Sequence, residues 1–222
     1  MRTEREFTIR LLTTPDLAAV ARIHCAAFAS SGLSCFGEDV VRQYYEWQMR
    51  CLPKLIGFVA AEEGHIAGYA FCGDTFRSPA PFLAKRPGLI TAAIVERPAL
   101  PFDRRVLRMA AYAVRSVVRT FRGAKAPGHS PGAPVVAPFW IEAVAVERSA
   151  QGCGAGGRLM RACAEHGFSQ GCSDLYLAVE PKNHRAIGMY ENLGWKRVIT
   201  DGRWHGRMKL TALPETALET AC

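Results

Sequence analysis

Between Ile141 and Cys163 the chain reads IEAVAVERSAQGCGAGGRLMRAC: a short apolar run, then glycines at 152, 154, 156 and 157, then apolar residues at helical spacing. Glycines between a strand and a helix let the backbone come close to a ligand, and the first N–H groups of a helix have no partner within it. Those donors and the positive helix end suit a phosphate or pyrophosphate. The same glycines could also serve only as a tight connection, so the context has to choose.

The context is a chain of alternating elements. EFTIRLLTTPDLAAVARIHCAAF reads as a strand followed by a helix with Thr14 as N-cap, Pro15 at the first helical position and Asp16 in the first turn. A second helix, GEDVVRQYYEWQMRCL, stops before Pro53. KLIGFVAAEEGHIAGYAFCG has two β-like runs around Glu62-Glu63-Gly64-His65, a hairpin pattern. An irregular basic stretch with prolines at 79, 81, 87, 98 and 101 leads to an amphipathic helix over 103–122 and a Gly/Pro loop, GAKAPGHSPGAP. The second half then alternates: strand 138–146, the glycine loop, helix 154–168, strand DLYLAV, helix HRAIGMYENLG and two last strands around Asp201-Gly202. This order predicts an α/β fold with a mixed central sheet flanked by helices. At 222 residues, 49% hydrophobic and 22% charged, one globular domain is expected, with 74–134 as an insertion and 212–222 as a tail.

Two phosphate motifs compete for the glycines. Gly152, Gly154 and Gly157 satisfy G-x-G-x-x-G with Glu180 at the end of the next strand, which imitates an NAD(P)-binding fingerprint. Against it, Glu147 to Gln151 separate the strand from the first glycine, and the unit follows a hairpin instead of opening a run of βαβ repeats.

The other reading takes in more residues. VAVERSAQGCGAGGRLM resembles the acetyl-CoA motif of the GNAT superfamily of acyl-CoA N-acyltransferases, Q/R-x-x-G-x-G/A, through Gln151, Gly154 and Gly156. AVEPKNHRAIGMYENLGWKRV resembles that superfamily's next segment, with Asn183, a helix carrying Ala186 and Tyr190, and then Leu193-Gly194-Trp195. The resemblance implies a mostly antiparallel sheet, with the basic helical insertion placed before the cofactor-binding strand. It further implies N-acetyl transfer from acetyl-CoA to an amine, with CoA phosphates on Gln151, Gly152, Cys153, Gly154, Ala155, Gly156 and Gly157. Pantetheine would lie along Val144, Ala145 and Val146, which diverge from the next strand, and the thioester arm near Asn183 and Ala186. Asn183 also stands where a helix N-cap is expected.

Tyr190 occupies the superfamily's general-acid position, and it could equally pack as helix aromatics do. The strand Glu used as a base in some relatives is Ala178 here, so that role does not carry over. Glu142 is the candidate base; a salt-bridge partner for the basic helix is its other reading, and Glu180 is the runner-up. A CoA-binding sensor without turnover is a third class of function.

The formal charge of +8 is localised: 74–134 holds eleven Lys and Arg against three acids, and the remainder is balanced. On helix 103–122, Arg104, Arg108, Arg115, Arg119 and Arg122 share one face, and Val106, Ala110, Ala113, Val117 and Phe121 another. The arginines read as solvated surface, or as contacts for CoA, an acidic acceptor or an anionic surface. No nucleic-acid motif is present. Eight cysteines without C-x-x-C spacing predict reduced thiols rather than disulfides or metal ligands. The start, MRTEREFTIRLL, has no apolar run of signal-peptide length, and no uninterrupted stretch elsewhere reaches the roughly 18 residues of a membrane span. The expectation is a cytoplasmic monomer or homodimer acting on a small-molecule or protein amine.

Overall fold

A computed structural model of the protein describes residues 6–74, 78–121 and 138–212, the side chains at 112, 113 and 115–121 excepted. The loop 123–134 and the tail beyond 212 therefore lie outside the described residues. Those described divide into two compact units, one formed by 6–12, 53–74 and 138–212, the other by 13–52 and 78–121.

The first unit is a seven-stranded sheet. Its strands are β1 (Thr8–Leu11), β2 (Ile56–Glu62), β3 (His65–Gly73), β4 (Phe139–Val146), β5 (Asp174–Ala178), β6 (Lys196–Thr200) and β7 (Arg203–Thr211). Spatial order is β1-β2-β3-β4-β5-β7-β6, and every pairing is antiparallel except β4 with β5. The expected mixed, mostly antiparallel α/β sheet is thus observed. The β2–β3 turn is the tight hairpin read from Glu63-Gly64, both at positive φ of 50° and 81°.

Helix α6 (Ala155–Ser169) crosses one face of this sheet, and α7 (His184–Asn192) follows β5. Leu159, Met160, Cys163 and Ala164 of α6 fall at helical spacing and are buried with Ala70 and Cys72 of β3, Phe139 and Ile141 of β4, Leu175 and Leu177 of β5 and Met208 of β7. Full burial of each large aliphatic side chain contributes about 1.5–3 kcal/mol, so this face holds α6 and its N-terminus in place. Arg158 Nη1 adds a hydrogen bond to the Phe7 carbonyl at 3.1 Å.

The second unit is helical: α1 (Leu17–Ala27), α2 (Glu38–Cys51), α3 (Pro79–Ala84), α4 (Pro87–Glu96) and α5 (Arg104–Phe121). Three details differ from expectation. The first helix is entered through a 3-10 turn at Thr14–Asp16, and Thr13 is the N-cap, its N–H and hydroxyl both donating to Asp16 Oδ2 at 2.8 and 2.9 Å. The stretch after 78 is not irregular, because Pro79 and Pro87 open helices, where a missing N–H and a fixed φ do no harm. On α5, Arg105, Val106 and Met109 are half-buried while Leu107, Ala110 and Val114 are exposed, so Ala110 of the apolar stripe does not pack; the side chains of Ala113, Val117 and Phe121 lie outside the described residues. Arg105 donates to Asp103 and, at 2.7 Å, to the Ala29 carbonyl, and the guanidinium holds the Asp103 carboxyl well below the usual range. Arg104 and Arg108 are exposed; the side chains of Arg115, Arg119 and Arg122 lie outside the described residues.

Among the described residues no helix is long and apolar enough to cross a membrane. The seven described cysteines are free, and Cys72 and Cys163 are fully buried.

Candidate active site

The site forms where β4 and β5 part. Their parallel register runs Phe139–Leu175, Trp140–Tyr176 and Ile141–Leu177 and stops there, while β4 continues to Val146 on β3. Beyond Ile141 one edge of β4 faces no strand, which leaves alternate backbone groups between Ala143 and Val146 without a strand partner for an extended ligand to meet, the Val146 carbonyl being taken by Gln151. The expected splay is at this point.

A bulge marks the same place. Cys72 of β3 pairs with Ile141 and Phe71 with Ala143, so Glu142 is the extra residue. The core residues shift accordingly from Phe139 and Ile141 to Val144 and Val146. Glu142 follows Ile141 and leaves the strand on the face opposite the core. It has no ion pair or hydrogen bond among the described residues, which do not include the side chains of Arg115, Arg119 and Arg122. Although its surface is open to solvent, the surrounding protein displaces enough water to raise its carboxyl above the ordinary value.

The five residues that separate strand from glycines form a 3-10 turn at Arg148–Ala150. Glu147 anchors it, donating N–H to the Ala67 carbonyl at 2.8 Å and meeting His65 Nε2 at 2.7 Å. Gly152 and Gly154 have φ of 81° and 94°, where a Cβ is strained, and Gly154 is the N-cap of α6. No side chain caps this helix, its first turn holds no acid, and its first ladder bond is Arg158 N–H to the Gly154 carbonyl at 3.1 Å. The N–H groups of Ala155, Gly156 and Gly157 therefore point out of the helix end. A Cβ built on Gly154 would meet nothing within 4 Å, which makes the space above the loop an open cradle. Gly156 differs: its Cβ would lie 3.1 Å from Met189 Sδ, so this glycine admits α7.

Gln151 plays a part that its motif position did not reveal. Its Nε2 donates to the Val146 carbonyl at 3.0 Å and its Oε1 accepts from Arg185 Nη1 at 2.7 Å, tying the strand end, the loop and α7 together. The side-chain amide is thus engaged within the protein. Asn183 is an N-cap, with Oδ1 accepting from Ala186 N–H at 3.2 Å, and its amide NH2 stays exposed. Tyr190 packs at the edge of the core, 6.4 Å from the buried Trp195 ring, and burial raises its phenol. Its hydroxyl has no hydrogen-bond partner among the described residues. No hydrogen bond joins Glu142 and Tyr190 among the described residues, and Glu180 is exposed at a turn.

The sheet with its helix-capped loop defines a GNAT-type fold. The family model described as "Acetyltransferase (GNAT) family" matches residues 132–195, the segment from β4 through α7. No curated protein matches the chain at significance. Solved structures that do match include yncA of Salmonella typhimurium with its cofactor acetyl-CoA, at 20% identity and TM-score 0.50, over 98% of this chain and 99% of that one. The ribosomal-protein-alanine N-acetyltransferase of Brucella melitensis matches at 18% identity and TM-score 0.51, over 92% and 99%. An N-acetyltransferase of Staphylococcus aureus Mu50 matches at 16% and 0.52, over 93% and 98%. The family match over residues 132–195 and the likeness to these solved structures make the chain similar to GNAT acetyltransferases in that segment and in its fold.

Proposed function

We propose that the protein is an acetyl-CoA-dependent N-acetyltransferase that moves an acetyl group to a primary amine by direct attack in a ternary complex. One observation carries this reading: the open edge of β4 beyond Ile141 runs directly into a glycine loop whose helix N–H groups face an open cradle. The residues present fit CoA. A helix end without acids, followed by Arg158 and Arg161, suits a pyrophosphate. Backbone edges at Val144, Ala145 and Val146 suit the pantetheine amides. Gly152 to Gly157 would hold the phosphates, with Gln151 and Ala186 keeping the loop and α7 in register and the Asn183 amide available to the arm.

When bound, acetyl-CoA supplies an activated acyl thioester, whose C–S bond breaks as a C–N bond forms. A protonated amine has no lone pair to attack with, so a base is required. Glu142 accepts a proton from the amine; its desolvation without a cationic partner makes it a stronger base than an exposed carboxylate. A backbone N–H of the 144–146 strand holds the carbonyl oxygen as charge develops there. Tyr190 gives its proton to the departing sulfur. A phenol near pKa 10 and a thiol near 8.5 differ by about 2 kcal/mol in the unfavourable direction, and burial of both groups raises both. The transfer is feasible when it is concerted with C–S cleavage.

Calorimetric titration of the full chain with acetyl-CoA, and separately with NADP, tests the reading. Acetyl-CoA binding without NADP binding supports it. The reverse pattern reassigns Gly152, Gly154 and Gly157 to a dinucleotide, and CoA binding with no turnover on any amine makes the protein a sensor.

A further inference from the structure

The sheet face turned away from α6 carries a cluster that the cofactor loop does not use. Trp140 and Tyr176 are register partners, and their rings lie 5.4 Å apart with planes tilted by 36°. On β7, Met208 belongs to the core, so Arg207 and Lys209 project on the other side, as His205 does by alternation. Lys209 meets Asp174 at 3.2 Å. Asp174 also accepts from Thr211 Oγ1 at 2.7 Å, and this bond together with Lys209 holds its carboxyl below the usual range.

Arg207 is placed differently. Its guanidinium lies 5.5 Å from the centre of the Trp140 ring, on the far side of β5, where the register partner of Arg207 is Ala178. A methyl group there leaves room for the guanidinium to cross. Among the described residues this arginine has no acidic partner, while its ring contact holds it in position. Two residues along β4 from Trp140, Glu142 emerges on the same face, also without a partner. The face therefore presents a guanidinium held over Trp140 and, two residues along β4 or roughly 6–7 Å of strand at about 3.3 Å per residue, the Glu142 carboxylate.

We propose that the acceptor is a primary amine that also carries an anionic group, carboxylate or phosphate, which Arg207 binds over Trp140 while the amine is presented to Glu142. This rests on the acetyl-transfer reading of the same site. A guanidinium offers a planar fork of donors that matches a carboxylate or phosphate bidentately. A polycationic acceptor would instead meet Arg207, His205 and Lys209 on β7. The Trp140–Tyr176 pair favours a flat, apolar body between the two charged ends. Arg207 is then a specificity-determining residue.

The test uses the full chain at saturating acetyl-CoA with matched amines: para-aminomethylbenzoate against para-aminomethylbenzamide, phosphoethanolamine against ethanolamine, and spermidine. We expect at least one anionic amine to show a kcat/KM about tenfold or more above its neutral counterpart, and the pair with the larger ratio identifies the anion. Arg207→Gln should bring that ratio close to one, and Arg207→Lys should restore part of it, since charge returns without the fork. Equal use of acid and amide by the wild type, preference for spermidine, or a ratio untouched by Arg207→Gln overturns the proposal. A CoA titration on the same preparation separates the two claims. Absence of CoA binding overturns the acetyl-transfer reading and this proposal with it; normal CoA binding without an anionic preference overturns this proposal alone.

Discussion

Replacing Gly154 with valine isolates the phosphate cradle. At φ 94° a residue with a Cβ is strained by about 1–2 kcal/mol, and this is the whole folding penalty, because the space around a Cβ at that position is open. For a chain of this size the melting temperature should fall by roughly 2–8 °C. The effect on CoA has to be larger. The valine side chain occupies the space that phosphate oxygens need to reach the N–H groups of Ala155, Gly156 and Gly157. Loss of two charge-assisted hydrogen bonds, each worth about 1.5–3 kcal/mol, weakens CoA by on the order of a hundredfold to ten-thousandfold. Thermal unfolding without ligand and calorimetric titration with CoA read the two effects separately. A Gly154→Val protein that folds and binds CoA with the wild-type Kd would refute the placement of the pyrophosphate.

Tyr190→Phe should lower kcat about tenfold or more with little change in KM for acetyl-CoA, as loss of acid catalysis does; an unchanged kcat in steady-state assays rejects the role. Glu142→Gln should lower kcat/KM yet raise the melting temperature at neutral pH. The sign follows from burial: the folded protein holds the Glu142 proton more tightly than the unfolded chain does, so ionisation costs stability above the carboxylate range, and the gain from Gln disappears as pH falls below it. A melting-temperature difference that is independent of pH contradicts this. Thiol labelling of the native protein should modify the exposed Cys51 first and reach Cys72 and Cys163 only on unfolding, because both are buried and the Cys163 thiol is raised by its hydrogen bond to Cys72 and by burial. Labelling of Cys163 at the Cys51 rate would show that α6 does not pack as described.

Much of the fold was legible because local chemistry and tertiary packing agree. The Glu63-Gly64 turn, the glycine loop at 152–157 and the alternation of strands and helices after 138 each follow from a short-range rule that the fold does not override. The Asn183 cap was legible for the same reason. Glu142 could be named, but not the bulge that presents it, because a bulge depends on register with β3, some seventy residues away in sequence. Gln151 shows a limit of motif reading: its spacing marks the cofactor loop, yet its amide joins Val146 to Arg185, a bridge visible only once α7 is placed. Arg207 gave no signal at all, since its meaning depends on Ala178 and Trp140 lying on two other strands. The proline stretch reads as irregular in sequence because closely spaced prolines suit loops, and the places of Pro79 and Pro87 at helix starts emerge only from the helices that follow.

Backbone amide hydrogen exchange of the full chain with and without acetyl-CoA measures directly whether the β4 edge and the α6 N-terminus together hold CoA. The expected result is protection on binding confined mainly to the amides of 143–146 and 152–157, with α1 to α4 exchanging as before. Acetyl-CoA binding that protects neither segment, or that protects 152–157 while leaving 143–146 unchanged, would contradict the placement of the cofactor across the open edge of β4.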